Sequence, residues 1–160
     1  MGQPYGWGGL LGNRDCSSLM DDLFAPFGIY LPRNSQAQTR LGTRVDLTNL
    51  TADQKEERIL REGVPFFSLV SMKGHVALYL GAYPVTGLDG VTKDVPVMFH
   101  SIWGLRAITG SGENKREGRG VIGKAVVTSF RPGAEHPSIA TPASLLDRVN
   151  GLAVLPEAEQ

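Results

Sequence analysis

Asp15-Cys16-Ser17-Ser18-Leu19-Met20-Asp21-Asp22-Leu23-Phe24-Ala25-Pro26-Phe27-Gly28 is the stretch that decides how this chain is read. Leu19, Met20, Leu23, Phe24 and Phe27 recur at helical spacing and predict one apolar face. Pro26 disfavours helix in the residue before it and Gly28 suits an exit, so the helix closes there. Cys16 therefore falls at or just before the first turn of a buried helix. Upstream, residues 5–14 read Tyr-Gly-Trp-Gly-Gly-Leu-Leu-Gly-Asn-Arg, too rich in glycine for a regular helix.

Working outward, residues 29–40 form a polar connection. A second helix is predicted over 51–62, where Thr51 and Gln54 have capping-box spacing and Gly63 marks the stop. Its run Lys55-Glu56-Glu57-Arg58 reads as a solvated face. The middle is β-like. Strands are predicted over 65–70, 75–83, 95–103 and 121–130, with a turn at Met72-Lys73-Gly74. Residues 104–120, with Arg106, Arg116 and Arg119, read as a solvated excursion. Thr141-Pro142 predicts a short C-terminal helix through Val149, followed by a polar tail over 156–160. A helical half followed by an antiparallel half makes the class α+β.

The chain has 160 residues, enough for one domain with a real core. Its 16 basic and 16 acidic residues balance to zero, so no global field favours nucleic acid. No apolar run is long enough to span a bilayer. A single cysteine excludes an intrachain disulfide. The start of the chain lacks the basic and apolar pattern of a signal peptide.

Chemistry concentrates in Cys16, His75 and His100. A thiolate attacks carbonyls and a thiol does so poorly; a helix N-terminus or an adjacent imidazole favours the anion. If 75–83 and 95–103 pair as a simple hairpin centred near 88–89, position 75 lies opposite 102. His100 is then two residues away on the same face, and the imidazoles sit side by side. A lone cysteine is more often a small buried hydrophobe, and a strand histidine is more often structural. The order Cys, His, His with the thiol at a helix start favours nucleophilic catalysis. Zinc is the competing reading, but no short ligand pair such as CxxC or HExxH supports it, and no cofactor is predicted. His136, in Pro-Gly-Ala-Glu-His-Pro, reads as incidental.

Pro4-Tyr5-Gly6-Trp7-Gly8-Gly9, Arg14-Asp15-Cys16-Ser17-Ser18-Leu19, Leu31-Pro32-Arg33-Asn34-Ser35-Gln36-Ala37-Gln38 and Gly74-His75-Val76-Ala77-Leu78-Tyr79-Leu80-Gly81 stand out as a set. Together with Val97-Met98-Phe99-His100-Ser101, they resemble the NlpC-type bacterial cell-wall cysteine peptidases over residues 4 to about 130. The resemblance implies a papain-like fold and hydrolysis of murein stem peptides, typically between γ-D-glutamate and a diamino acid. It implies Cys16 as nucleophile, His75 as general base, His100 as the residue that orients it, and Tyr5 as an oxyanion donor. Asp15, Ser17 and Ser35 would hold substrate groups, and Trp7 would line the pocket. Peptidoglycan stem peptides are then the partner, and the periplasm or cell wall the location.

The expected organisation is a single catalytic domain over 1–160, with a core at 4–130 and an extension at 131–160. Wall-binding β-barrels, which such relatives often carry upstream, would lie outside this chain. The sequence departs from the family in carrying Ser18 where glycine is common, read as added helix propensity. It also departs in the 25-residue gap between the histidines, read as a longer hairpin over 84–94. An amidase or acyltransferase acting on another acyl group, and a non-catalytic wall-binding module, are the alternative readings.

Overall fold

The computed structural model describes residues 1–87, 89–109, 116–133, 139–141 and 144–156. Helix α1 spans Cys16–Phe24, α2 Ser35–Gln38 and α3 Ala52–Glu62. The strands are β1 (Thr43–Asp46), β2 (Ser68–Met72), β3 (His75–Thr86), β4 (Thr92–Thr109), β5 (Arg116–Ser129), β6 (Ile139–Thr141) and β7 (Val149–Val154). They make one antiparallel sheet in the order β1-β7-β2-β3-β4-β5, with β6 pairing β4 off that path. This is the expected α+β, papain-like arrangement, with a buried cysteine helix on an antiparallel sheet. Among the described residues, no helix is long and apolar enough to cross a membrane.

Strand alternation explains why the sheet is covered on both sides. Leu69, Val76, Leu78 and Ala153 join the cluster of Cys16, Leu19, Met20 and Phe24 under α1. Their neighbours Val70, Ala77, Tyr79 and Leu152 join Ile59 of α3 with Leu145 and Leu146. The central strands therefore bury side chains on both faces, and β2 is buried along its whole length. Each fully buried side chain of this size contributes about 1.5–3 kcal/mol relative to exposure.

Several expectations change in the fold. The predicted C-terminal helix is a 3-10 turn, Leu146–Arg148, followed by β7, which inserts between β1 and β2. The apolar run Val149–Val154 needs partners on both edges, and β1 and β2 supply them. The segment 104–120 is not an excursion. β4 runs through Thr109 and pairs with β5 from Arg116; residues 110–115 lie outside the described set, as does His136. Helix α1 ends at Phe24, and the 3-10 turn Ala25–Phe27 swings Phe27 out to 77% exposure, off the expected apolar face. Lys55, expected in solvent, is 6% exposed.

Candidate active site

Asp15 starts α1. Its side chain accepts from the Ser18 backbone N–H at 3.0 Å, and the Ser18 hydroxyl accepts from the Asp15 N–H at 3.0 Å. Ser18 thus closes a capping box, a more specific role than propensity. The Ser17 hydroxyl, at 3.2 Å, and the Gly8 N–H, at 3.1 Å, also donate to Asp15. The cap therefore fixes the glycine-rich loop to the helix that carries Cys16.

Arg33 completes this cluster and was not singled out from sequence, although it sits in the Leu-Pro-Arg run. It donates to Asp15 Oδ2 at 2.7 Å and to Ser17 Oγ at 2.8 Å. Burial alone would raise the Asp15 carboxyl. Hydrogen bonds from Arg33 and Ser18 outweigh it and hold the group well below the usual carboxylate range. A substrate amine using Asp15 would have to replace one of these donors. Asn34 caps α2, whose Gln38 donates to the Ser17 carbonyl at 2.8 Å.

A cleft of about 450 Å³ opens over this cluster, lined by Tyr5, Trp7, Asp15, Cys16, Ser17 and Ser35 together with Arg33 and Gly74. Six of the residues picked out by the resemblance therefore share one cavity. Tyr5 stands near enough that the charges of Cys16 and Asp15 add to burial in raising its hydroxyl pKa. Cys16 is 8% exposed. Burial pushes its thiol up; the N–H groups of Val76, Ser17 and Cys16 itself favour the anion, and the Asp15 charge opposes it. The net shift is upward. The helix-terminal N–H groups favour the anion as the sequence suggests, and desolvation outweighs them.

His75 and His100 are in direct contact. His75 Nε2 lies 2.9 Å from His100 Nδ1, and His100 Nε2 lies 3.1 Å from Thr128 Oγ1. The two imidazoles thus sit side by side as the hairpin reading expects, although the β3–β4 ladder itself starts at Leu78–Phe99 and runs outward to Thr86–Thr92. The hairpin is not symmetric, however. A bulge between Tyr79 and Gly81 shifts the outer register, and Gly81 has φ +108°, a conformation that strains any other residue. That bulge and the long ladder to Thr86 account for the wide spacing of the histidines.

The chain of contacts couples the tautomers of the two rings. If His75 is to accept a proton at Nδ1, its Nε2 carries hydrogen and donates to His100 Nδ1. His100 then carries its hydrogen on Nε2 and donates to the Thr128 hydroxyl. Thr128 was missed because a threonine in a strand carries no signal of its own. Burial lowers His75 to about 3, helped by the charges of His100 and Arg148, and burial lowers His100 to about 4. Both rings are neutral at pH 7.

The two halves of the site meet at the start of β3. Gly74 lines the Cys16 cleft, and the Val76 N–H acts on the Cys16 sulfur. His75 lies between them. Among the described residues, no group of three or more histidine, cysteine or acidic side chains could hold a metal ion.

Comparison with known proteins identifies relatives of the chain. The NlpC/P60 family model matches residues 2–104. A probable endopeptidase of Corynebacterium glutamicum is 33% identical over 103 residues, which is 64% of this chain and 43% of that protein. A gamma-D-glutamyl-L-lysine dipeptidyl-peptidase of Bacillus cereus is 38% identical over 85 residues, 51% of this chain and 23% of its own length. The chain thus spans less than half of the curated relatives it matches. A solved structure of an NlpC/P60 endopeptidase from Photobacterium damselae subsp. piscicida superposes with a TM-score of 0.76 at 29% identity. That match covers 96% of this chain and 36% of the other.

Proposed function

Because this chain belongs to the NlpC/P60 family, we propose that it is a cysteine peptidase that hydrolyses murein stem peptides at the γ-D-glutamyl–diamino acid bond. The observation that carries the reading is the His75–His100–Thr128 chain beside a thiol at a helix start. It orients one imidazole and leaves its Nδ1 as the nitrogen for proton transfer.

In this mechanism His75 Nδ1 takes the Cys16 proton as sulfur attacks the amide carbon. The Cys16 N–H and the Tyr5 hydroxyl receive the developing oxyanion. The imidazolium gives its proton to the departing amine and leaves a thioester. A water, deprotonated by His75, cleaves the thioester and returns the thiol. The raised thiol pKa and depressed imidazole pKa mean that the resting pair is neutral. Proton transfer then accompanies attack and does not precede it.

Ser17, Ser35 and Arg33 are the groups for the D-glutamyl half. Arg33 offers a planar fork that suits a carboxylate, and Asp15 holds that fork in place. Trp7, exposed at the cleft rim, supplies a flat apolar wall. The sites of action are the periplasm or cell wall, and the residues 1–160 act as the catalytic unit, with wall-binding domains elsewhere.

The test is incubation with L-Ala-γ-D-Glu-diaminopimelate and longer muropeptides, with free diamino product read by mass spectrometry. Cys16→Ala and His75→Ala should each abolish it. No product from any muropeptide, with Cys16 still open to alkylation, would remove the substrate assignment.

A further inference from the structure

We propose that a second cleft, across the β2–β3 turn from the thiol, binds a carboxylate on the amine-leaving half of the substrate. The inference rests on the peptidase reading above and extends it to the other side of the scissile bond. The turn Met72-Lys73-Gly74-His75 is the divide. Gly74 lines the Cys16 cleft, and its neighbour Lys73 lines a separate cavity of about 390 Å³.

Lys55, Lys73 and Arg148 line that cavity with Thr48 and Asn150, against one carboxylate, Asp147. Lys55 is 6% exposed, and its ammonium donates to the carbonyls of Leu146 and Val149 at 2.9 and 2.8 Å. Among the described residues no carboxylate pairs with Lys55, Lys73 or Arg148. Carbonyl dipoles satisfy two of the three Lys55 donors without cancelling its charge, so the cavity keeps a positive field. Burying an ammonium is costly, and helix α3 has solvent-facing positions where a lysine would cost little. Its placement inside a concave, cationic cavity fits an anionic ligand.

Arg148 ties the cavity to the chemistry. Its guanidinium donates to the Lys73 carbonyl at 3.1 Å, so it rests on the turn that carries His75. Its charge is among those felt by His75. The departing amine takes its proton from His75, so it must leave on the side where His75 stands. Lys73 lies two residues before His75 on that turn, and Arg148 is bonded to the Lys73 carbonyl. The D-glutamyl half occupies the Asp15–Arg33 side, and the diamino acid half runs toward the cationic cavity. The ligand chemistry is a carboxylate, from either the end of the stem peptide or the side chain of the diamino acid.

Four matched substrates separate these sources: L-Ala-γ-D-Glu followed by lysine or diaminopimelate, each ending as a free carboxylate or an amide. For the wild type, kcat/KM should be at least about tenfold higher for substrates bearing a carboxylate beyond the scissile bond than for the lysine amide. Lys73→Gln should bring that ratio toward one, and Lys73→Glu should invert it. Equal cleavage of all four by the wild type, or an unchanged ratio in Lys73→Gln, overturns the proposal. A second measurement uses the inactive Cys16→Ala protein titrated with free diaminopimelate and lysine amide, followed by amide NMR. Shifts at Lys73, Arg148 and Asn150 with the carboxylate ligand alone support the site, and none there overturns it. Binding without cleavage of any muropeptide would instead count against the peptidase reading.

Discussion

Two buried neutral histidines make this fold sensitive to mild acid. His75 is 8% exposed and His100 fully buried, and both are held far below the ordinary value of 6.5, to about 3 and about 4. A depressed histidine pKa means that the unfolded chain binds protons first. Stability is present above pH 6.5 and is lost as pH falls from there toward the folded values. At pH 5 each unfolded histidine gains about 2 kcal/mol from protonation, and the folded rings gain almost nothing. The pair therefore removes about 4 kcal/mol between pH 7 and pH 5, a large share of the roughly 5–15 kcal/mol typical of a domain. The carboxylates that stabilise the fold do not interfere. Asp15, Asp46 and Glu62 are all lowered, and their contributions fade only below the ordinary values of 3.8 to 4.5. Urea unfolding at pH 7, 6 and 5 measures the loss, with the urea dependence unchanged. His100→Gln should roughly halve it. A wild-type unfolding free energy that stays within about 1 kcal/mol across this range would refute the claim that both rings are buried and neutral.

The other predictions concern the site. Alkylation of Cys16 by iodoacetamide without substrate should be slow at pH 7 and rise through pH 9, because burial holds the thiol protonated; a rate plateau from pH 5 to 8 would show a resting ion pair instead. Thr128→Val removes the acceptor for His100 Nε2 and should lower kcat about tenfold or more with little change in KM, as for other groups that orient a ligand from behind. Thr128→Ser should restore most of the rate. Tyr5→Phe should lower kcat by roughly 100-fold if its hydroxyl faces the oxyanion, and an unchanged kcat would remove that role.

Most of what positions the thiol is legible in sequence, because the signals are local. Asp15 before an apolar helical face, Thr51 with Gln54, and the side-by-side placing of His75 and His100 all follow from spacing over short distances. What is missed depends on distant partners. The expected C-terminal helix runs through Val149 and no local signal marks a strand beyond it; only β1 and β2 together make Val149–Val154 a strand. Lys55 sits in a run of charges, and its burial follows from carbonyls some 90 residues away. Arg33 gains its role from Asp15 and Ser17, and Thr128 gains its own from His100. Helix position, which favours the thiolate, is visible in sequence; the desolvation that outweighs it is not.

The central place of β7 bears on when the nucleophile comes into being during synthesis. The sheet cannot join β1 to β2 until residues 149–154 have left the ribosome, and the β7 pairings span from 77 residues of chain (Met72–Val149) to 111 (Thr43–Val154). Such long-range closure is slow compared with local helix formation. Cys16 is made early but waits for the last strand before Leu69, Ala153 and Leu155 can close around its helix. Nascent chains should therefore expose a reactive thiol to labelling long after residue 16 has emerged, and should lose that reactivity in one late step.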